Sequence, residues 1–400
     1  MRRFSAQYII TGTGDILKRG IITTDDEGRI TDIKDTGGHP TEKAKTEYYN
    51  GIIIPGFVNC HCHLELSAMH KRTEGGTGLG NFIHSVRESR PPAGEASLRS
   101  MEEADAMMYR TGTSACADIC NSSISFPLKE RSKIKYINFL EVFGVDPGRA
   151  DIRIKEVLEL KKQADSYSVP AYITPHSFYS LSATLLTAIK ELASSNRVSS
   201  IHHMESAAEE ELLRDAAGEL MDSYRDMGIE SDMMLDRVPD HVRGLLNYIT
   251  SSGNLILVHN TYAGDKNLMA AKRRGNCFLC LCPRSNMYIE KRLPAVDRLT
   301  ASGLPVTMGT DSLASNSSLD MLEEMKALSH SFPGISLAEM TAWATINGAR
   351  ALGIEDEYGS IEVGKVPGLA LIENAGLADM KAYKGKQGPA PAIKFTARLI

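Results

Sequence analysis

No run of about 18 apolar residues occurs in the chain, so no membrane span is expected. The first residues, Met1-Arg2-Arg3-Phe4-Ser5-Ala6-Gln7-Tyr8, carry two basic side chains with no continuous apolar segment behind them. No signal peptide is expected from them, and the cytoplasm is the expected location. Basic residues are not in excess: 45 Lys and Arg stand against 50 Asp and Glu, which gives no electrostatic reason to expect nucleic acid as a partner. Cysteines number seven in 400 residues. An odd, sparse set argues against a disulfide framework and fits a reducing compartment. No G-x-G-x-x-G follows an early strand, which weakens a doubly wound nucleotide-binding sheet. The glycine-rich stretch Gly75–Gly80 lacks the Lys and the preceding strand of a phosphate loop. It falls in a long insert, Lys71–Pro92, expected to cover the mouth of the site. What remains is ordinary globular composition, 42% hydrophobic and 24% charged. The length suits two or three domains, or one α/β barrel with an appendage.

Residues 4–54 read as short strands with turns. Arg19–Thr24 leads through Asp25-Asp26-Glu27-Gly28 to Arg29–Ile33, a hairpin pattern. From Ile52 onward, apolar runs alternate with amphipathic stretches. The expected strands are Ile52–Asn59, Thr113–Ile119, Ile134–Val142, Ala171–Thr174, Val198–His202, Leu255–His259, Cys277–Cys282 and Pro305–Gly309. Expected helices include Leu98–Arg110, Ile152–Ser166, Ala183–Ala193, Glu209–Met227, Val238–Ser251, Ala295–Ser302, Leu319–Ser329 and Ser336–Leu352, the last opening on a capping box. Eight such alternations fit an α/β fold of the (β/α)8 TIM-barrel type. Gly359–Lys365 and Leu369–Ile372 return to strand patterns that suit pairing with the N-terminal strands. The expected division is 1–54 plus 359–400 as a small composite β-sandwich, and 55–358 as the barrel. Cys277, Cys280 and Cys282 sit in an apolar strand with no fourth ligand, so they read as packing residues.

Barrel active sites collect at the C-terminal ends of the strands. Six of the 11 histidines fall at expected strand ends: His61, His63, His176, His202, His203 and His259. Side chains alternate along an extended chain, so His61 and His63 share a face and Cys60 and Cys62 take the other. His61, His63, His202 and Asp311 supply three imidazoles and one carboxylate, a set for one divalent metal ion, zinc before iron. Glu205, three residues past His202, is the candidate acid/base. Asp311 is also a candidate proton acceptor, and His259 a candidate electrophilic or orienting group. His176 and Glu65 are candidate substrate contacts. Each has a plainer reading. Asp311 also suits a turn cap, Glu205 a charge at a helix start, and Glu65 a partner for a ligand His. His203 competes with His202 as ligand. His70, His84, His241 and His330 read as surface or core residues.

Pro55–His63, Ile201–Ser206, Leu257–His259, Gly309–Ser312 with Asn316–Met321, Ala344–Gly353 and Gly359–Lys365 occur in the order of one known pattern. The chain resembles the amidohydrolase superfamily, in its cytosine deaminase and chlorohydrolase branch. That resemblance implies a metal-dependent aminohydrolase with His61, His63, His202 and Asp311 on the ion. A metal-bound hydroxide would attack an amine-bearing ring carbon of a purine-type nucleoside or base, with Glu205 and His259 moving protons. His63–Ser67 and Cys282–Asn286 are similar to the aminodeoxyfutalosine deaminases, which would bring Glu65 and Arg284 to substrate polar groups. The expected partner is a small molecule, and a homodimer is common among such relatives. Two departures stand out. Val366-Pro367-Gly368 replaces an Asp-bearing segment of the tail. The fourth strand end also has no Lys suited to a binuclear site. The same residues also suit hydrolysis of a cyclic amide or a halogenated ring. A non-catalytic assembly protein with a degenerate site is the alternative of another class, and the intact set argues against it.

Overall fold

Ile52, Ile53 and Ile54 are all buried, which an extended chain permits only when both of its faces are covered. The computed structural model describes residues 1–39, 43–226, 228, 253–373 and 395–400. In it the three isoleucines end β5 (Thr46–Pro55), which runs parallel to β1 (Arg2–Ile10) and antiparallel to β14 (Leu369–Glu373). The sheet continues through β3 (Ile21–Thr24) and β4 (Ile30–Lys34) on one side and β15 (Phe395–Arg398) on the other. A short β2 (Ile16–Lys18) pairs with β1. Ile53 packs with Phe4, Ile22 and Leu371 on one face, while Ile52 and Ile54 join Ile372 in the cluster that extends under the barrel helices. The pairing of tail with N-terminal strands is therefore observed, as one seven-stranded sheet.

Two expectations change here. Gly359–Lys365 forms no strand; it is tied down by scattered backbone bonds, Ile361 N to Thr11 O at 2.7 Å, Gly364 N to Ile30 O at 2.8 Å and Ile30 N to Lys365 O at 2.9 Å. The expected strand Ile52–Asn59 is two strands, because β5 stops at Pro55 and β6 (Phe57–Cys62) starts the barrel. The chain turns at Gly56, where an added Cβ would lie 1.9 Å from Ser114 Oγ.

In the barrel, β6, β7 (Thr113–Cys120), β8 (Lys135–Val142) and β9 (Ala171–Pro175) make one parallel sheet. A second holds β10 (Val198–His203), β11 (Asn254–His259), β12 (Cys277–Leu281) and β13 (Val306–Met308). Backbone bonds close both seams at the C-terminal end. His202 N donates to His176 O at 2.9 Å, and Thr310 N and Asp311 N donate to His61 O at 3.1 and 3.0 Å. Helices follow the strands as expected, with two exceptions. The stretch expected as one helix from Glu209 divides into Ala207–Asp215 and Glu219–Asp226, where Ala216 and Gly218 take φ of 53° and 88°. The last expected helix divides at Thr345 into Leu337–Ala344 and Ile346–Leu352, its capping box intact. The expected helix 238–251 lies outside the described residues. Among those described, no helix is long and apolar enough to cross a membrane.

Cys280 and Cys282 pack inside the barrel and Cys277 outside it, as the strand pattern requires. Gly309 marks a close approach of the last barrel strand to the first. A Cβ there would lie 2.8 Å from both the Cβ and the backbone N of His61. Gly309→Ala is expected to destabilise the protein by about 1–3 kcal/mol. Urea unfolding checks this, and an unchanged midpoint would mean that the seam has slack.

Candidate metal centre and its surroundings

His61 and His63 do face the barrel interior together, but simple alternation does not bring them there. β6 pairs with β7 through Asn59↔Cys116 and then Cys62↔Asp118, three steps along one strand against two along the other. The extra residue is a β-bulge, a device that re-aims side chains near active sites. Cys60 therefore stays inside with Val58, Ala117 and Cys280, and the histidines still turn inward. Cys62 lies outside with Leu64, Met101 and Cys116. The expectation that both cysteines face outward is corrected for Cys60.

The two Nε2 atoms of His61 and His63 are 3.1 Å apart. Asp311 Oδ1 lies 3.8 Å from the first and 3.6 Å from the second. The His202 ring stands 4.8 Å from the His61 ring and 5.5 Å from the His63 ring, centroid to centroid. Its Nδ1 is 3.0 Å from His176 O, to which it donates, so Nε2 keeps its lone pair and could serve as a metal ligand. Burial depresses the pKa of His61 far below the ordinary imidazole value and that of His63 to about 3, so both rings are neutral with lone pairs available. Burial pushes the Asp311 carboxyl up, yet His63, His259 and two serine hydroxyls outweigh it and hold the pKa below the usual range. Those hydroxyls, Ser285 Oγ at 2.5 Å and Ser315 Oγ at 2.7 Å, both donate to Oδ2 and leave Oδ1 facing the imidazoles. Asp311 has φ 55° and His259 φ 73°, left-handed conformations that cost about 1–3 kcal/mol each. Three neutral imidazole nitrogens and one carboxylate oxygen fit a divalent ion of borderline softness.

Glu205 follows β10 and lies beside this set. Its Oε1 accepts from Tyr179 OH at 2.5 Å, and its Oε2 is 3.5 Å from His259 Nε2. The Glu205 backbone N donates to Glu209 at 2.8 Å, and burial with the neighbouring Glu205 charge raises the Glu209 carboxyl to about 8. His259 Nδ1 bonds Asn286 Oδ1 at 2.9 Å, and Asn286 Nδ2 donates to Thr261 at 2.6 Å. The amide oxygen is thus the acceptor, which puts the proton on Nδ1 and points the bare Nε2 at Glu205.

The amidohydrolase family matches residues 52–398. The chain belongs to that family. An adenosine deaminase from Helicobacter pylori is 28% identical over 331 residues, spanning 80% of this chain and 79% of the relative. The crystal structure of the H. pylori aminofutalosine deaminase with methylthio-coformycin superposes with a TM-score of 0.80 at 24% identity, over 94% of this chain and 93% of that one. An adenosine deaminase from Xanthomonas campestris with bound zinc gives a TM-score of 0.69 at 18% identity, over 99% and 89%. This amidohydrolase is a metal-dependent hydrolase acting on carbon–nitrogen bonds other than peptide bonds.

The remaining sequence candidates spread around the site. His176 packs against His202 with centroids 4.6 Å apart and the rings tilted by 36°, and burial lowers its pKa to about 4. Glu65 does not present a free carboxylate. Its oxygens accept from the backbone N of Asn121 at 3.3 Å and of Ser122 at 3.2 Å, with Arg90 at 3.6 Å. Arg284 is engaged by the hydroxyls of Ser317 and Ser318. His203 turns away from the ligand set to bond Asn260 Oδ1 at 3.0 Å. Sequence reasoning missed Tyr179, Glu209, Asn286, Ser285 and Glu141. Glu141 carried a signal, a carboxylate within the apolar run Tyr136–Val142, and Ser285 and Asn286 lay within the Cys282–Asn286 motif without a role of their own.

His176 and His203 set an expected pH response. Both have pKa values near 4 when folded, against about 6.5 unfolded. Between those values the unfolded chain binds protons that the folded chain refuses, so the contribution of these two groups to stability falls as pH drops through this window, while the raised carboxyls of Glu209 and Glu324 act in the opposite direction. The loss should reach about 3 kcal/mol for each group by pH 4. The difference in urea stability between the wild type and His203→Gln should therefore change by about that amount from pH 7 to pH 4, and a constant difference would contradict it.

Proposed function

We propose that this amidohydrolase deaminates purine-type nucleosides or bases, aminodeoxyfutalosine among them. The observation that carries the reading is the convergence of His61, His63, His202 and Asp311 beside the Glu205–His259 pair. His61, His63, His202 and Asp311 would hold one divalent ion. Its nitrogen-rich set favours zinc over harder ions, and the zinc-containing relative supports that choice. Bound there, the ion would acidify a water to near neutral pKa.

The protein's own groups supply the rest. Glu205 stands where it can take the water proton and deliver it to a ring nitrogen. Tyr179 fixes one of its oxygens and leaves the other free to do so. His259 and Asp311 flank the same space and serve as further proton acceptors. His176 faces substrate directly. Glu65 acts through the Asn121 loop and Arg284 through the Ser317–Ser318 loop. A protein that had abandoned catalysis would have no reason to retain a buried carboxylate aimed at a bare imidazole nitrogen 3.5 Å away.

Purified protein is expected to carry one equivalent of metal. Elemental analysis giving well under half an equivalent after zinc supplementation would overturn the metal assignment. Glu205→Gln should keep the metal while kcat falls roughly 10²–10⁴-fold. A near wild-type rate would remove Glu205 from proton transfer. The function itself is tested by ammonia release across adenosine-like, guanine-like and pterin-like amines. No ammonia from any of them would favour a cyclic-amide substrate.

A further inference from the structure

Glu141 lies two residues past Phe139, whose ring lines the barrel interior, so its carboxylate faces the same cavity at the end of β8. The side chain is 4% exposed. Oε2 accepts from Asn121 Nδ2 at 3.1 Å. Oε1 has no hydrogen-bond donor among the described residues. A buried carboxylate oxygen in that state calls for a partner from outside the protein.

The neighbouring imidazoles do not supply one. His202 Nδ1 is 3.6 Å from Oε1, but its proton goes to the His176 carbonyl. His176 Nε2 is 4.0 Å from Oε1. Its Nδ1 lies 2.9 Å from the hydroxyls of both Ser177 and Ser180. Those hydroxyls already donate elsewhere, Ser177 to Ser180 Oγ and Ser180 to the Ser177 carbonyl. The His176 proton therefore resides on Nδ1, and Nε2 is an acceptor. Two acceptors face each other with no proton between them.

The complementary ligand brings two adjacent donors. An ammonium group would meet repulsion from the divalent ion that the neighbouring imidazoles would hold, whereas neutral hydroxyls would not. We propose that Glu141, with His176 next to it, receives the vicinal hydroxyls of a ribose. The preferred substrate is then a ribonucleoside, not a free base or a 2′-deoxynucleoside. This rests on the deaminase reading above and narrows it. In a purine nucleoside the sugar nitrogen lies across the bicyclic ring from the amine-bearing carbon. The sugar therefore lies on the opposite side of the ring from the reacting carbon. Asn121 and Glu65 are positioning residues in this arrangement. Glu65 holds the Asn121 and Ser122 backbone, and the Asn121 amide holds Glu141.

Coformycin and 2′-deoxycoformycin differ by the one hydroxyl at issue. Calorimetry on the zinc-loaded enzyme should show the first binding roughly ten- to hundred-fold more tightly, the usual worth of a hydrogen bond to a charged group. Glu141→Gln and Glu141→Ala should bind both ligands with little preference while retaining the metal. In turnover, kcat/KM for adenosine should exceed that for 2′-deoxyadenosine, 3′-deoxyadenosine and adenine, and the gap should shrink in both variants. Equal binding of the two coformycins by the wild type would overturn the assignment and leave the deaminase reading standing. So would deamination of adenine as efficiently as adenosine, or full discrimination retained by metal-loaded Glu141→Gln. Absence of binding together with absence of ammonia from every amine would overturn the deaminase reading, and this assignment with it. Because the wild-type comparison is decisive by itself, a variant that fails to fold does not remove the test.

Discussion

Everything at the mouth of the barrel follows from one electrostatic constraint. Lone pairs of three neutral imidazoles and a carboxylate are directed at one point from which water is largely withdrawn. Such a cluster repels itself unless a cation occupies its centre, and the protein prevents its collapse by holding each donor from behind. His202 is held through Nδ1 by a backbone carbonyl, Asp311 through Oδ2 by two serines, and His259 through Nδ1 by Asn286. Ser285 and Asn286 stand on the helix Pro283–Ile289, 26 and 27 residues from the groups they hold, and Ser315 lies four residues past Asp311, so the preorganisation is largely tertiary.

The seams of the barrel serve the same end. In each seam the backbone that closes the cylinder belongs to a residue with a role in the site. His202 and His176 close one, and Asp311 and His61 the other. Barrel closure and ligand placement are therefore a single structural event. The Asp118–Lys129 ion pair extends this frame outward. It is fully buried, and Asp118 Oδ1 accepts from Leu64 N at 2.7 Å, which fixes the helical turn Leu64–Met69 directly after His63. The two charges offset the cost of their own burial only as a pair.

The barrel, its eight strands and the gathering of His61, His63, His202 and Asp311 were legible because they rest on short-range regularities. Apolar runs mark strands, and imidazoles at their ends stand out against that background. What stayed hidden depends on contacts between distant segments. The bulge before Cys62 arises from pairing with β7, so alternation alone misplaced Cys60. The division of the Ile52–Asn59 run at Gly56 depends on Ser114 and on the tail of the chain. The left-handed conformation of His259 turns its side chain inward against the parity of β11, which no local pattern encodes. Glu65 carries a family-like motif, yet its carboxylate is taken up by a loop more than fifty residues later. Glu141 was readable in principle, as a charge where packing alone would place a hydrocarbon.

The small sheet has a consequence for how the chain is made. β5 lies between β1, near the start of the sequence, and β14, near its end. During synthesis from the N-terminus, β1 to β5 emerge first, and one edge of β5 has no partner until more than three hundred further residues have been added. That edge carries Ile52, Ile53 and Ile54, an apolar strand of the kind that recruits other chains when exposed. That edge therefore stays vulnerable while the whole barrel is being made, and β14 ends the exposure when it emerges.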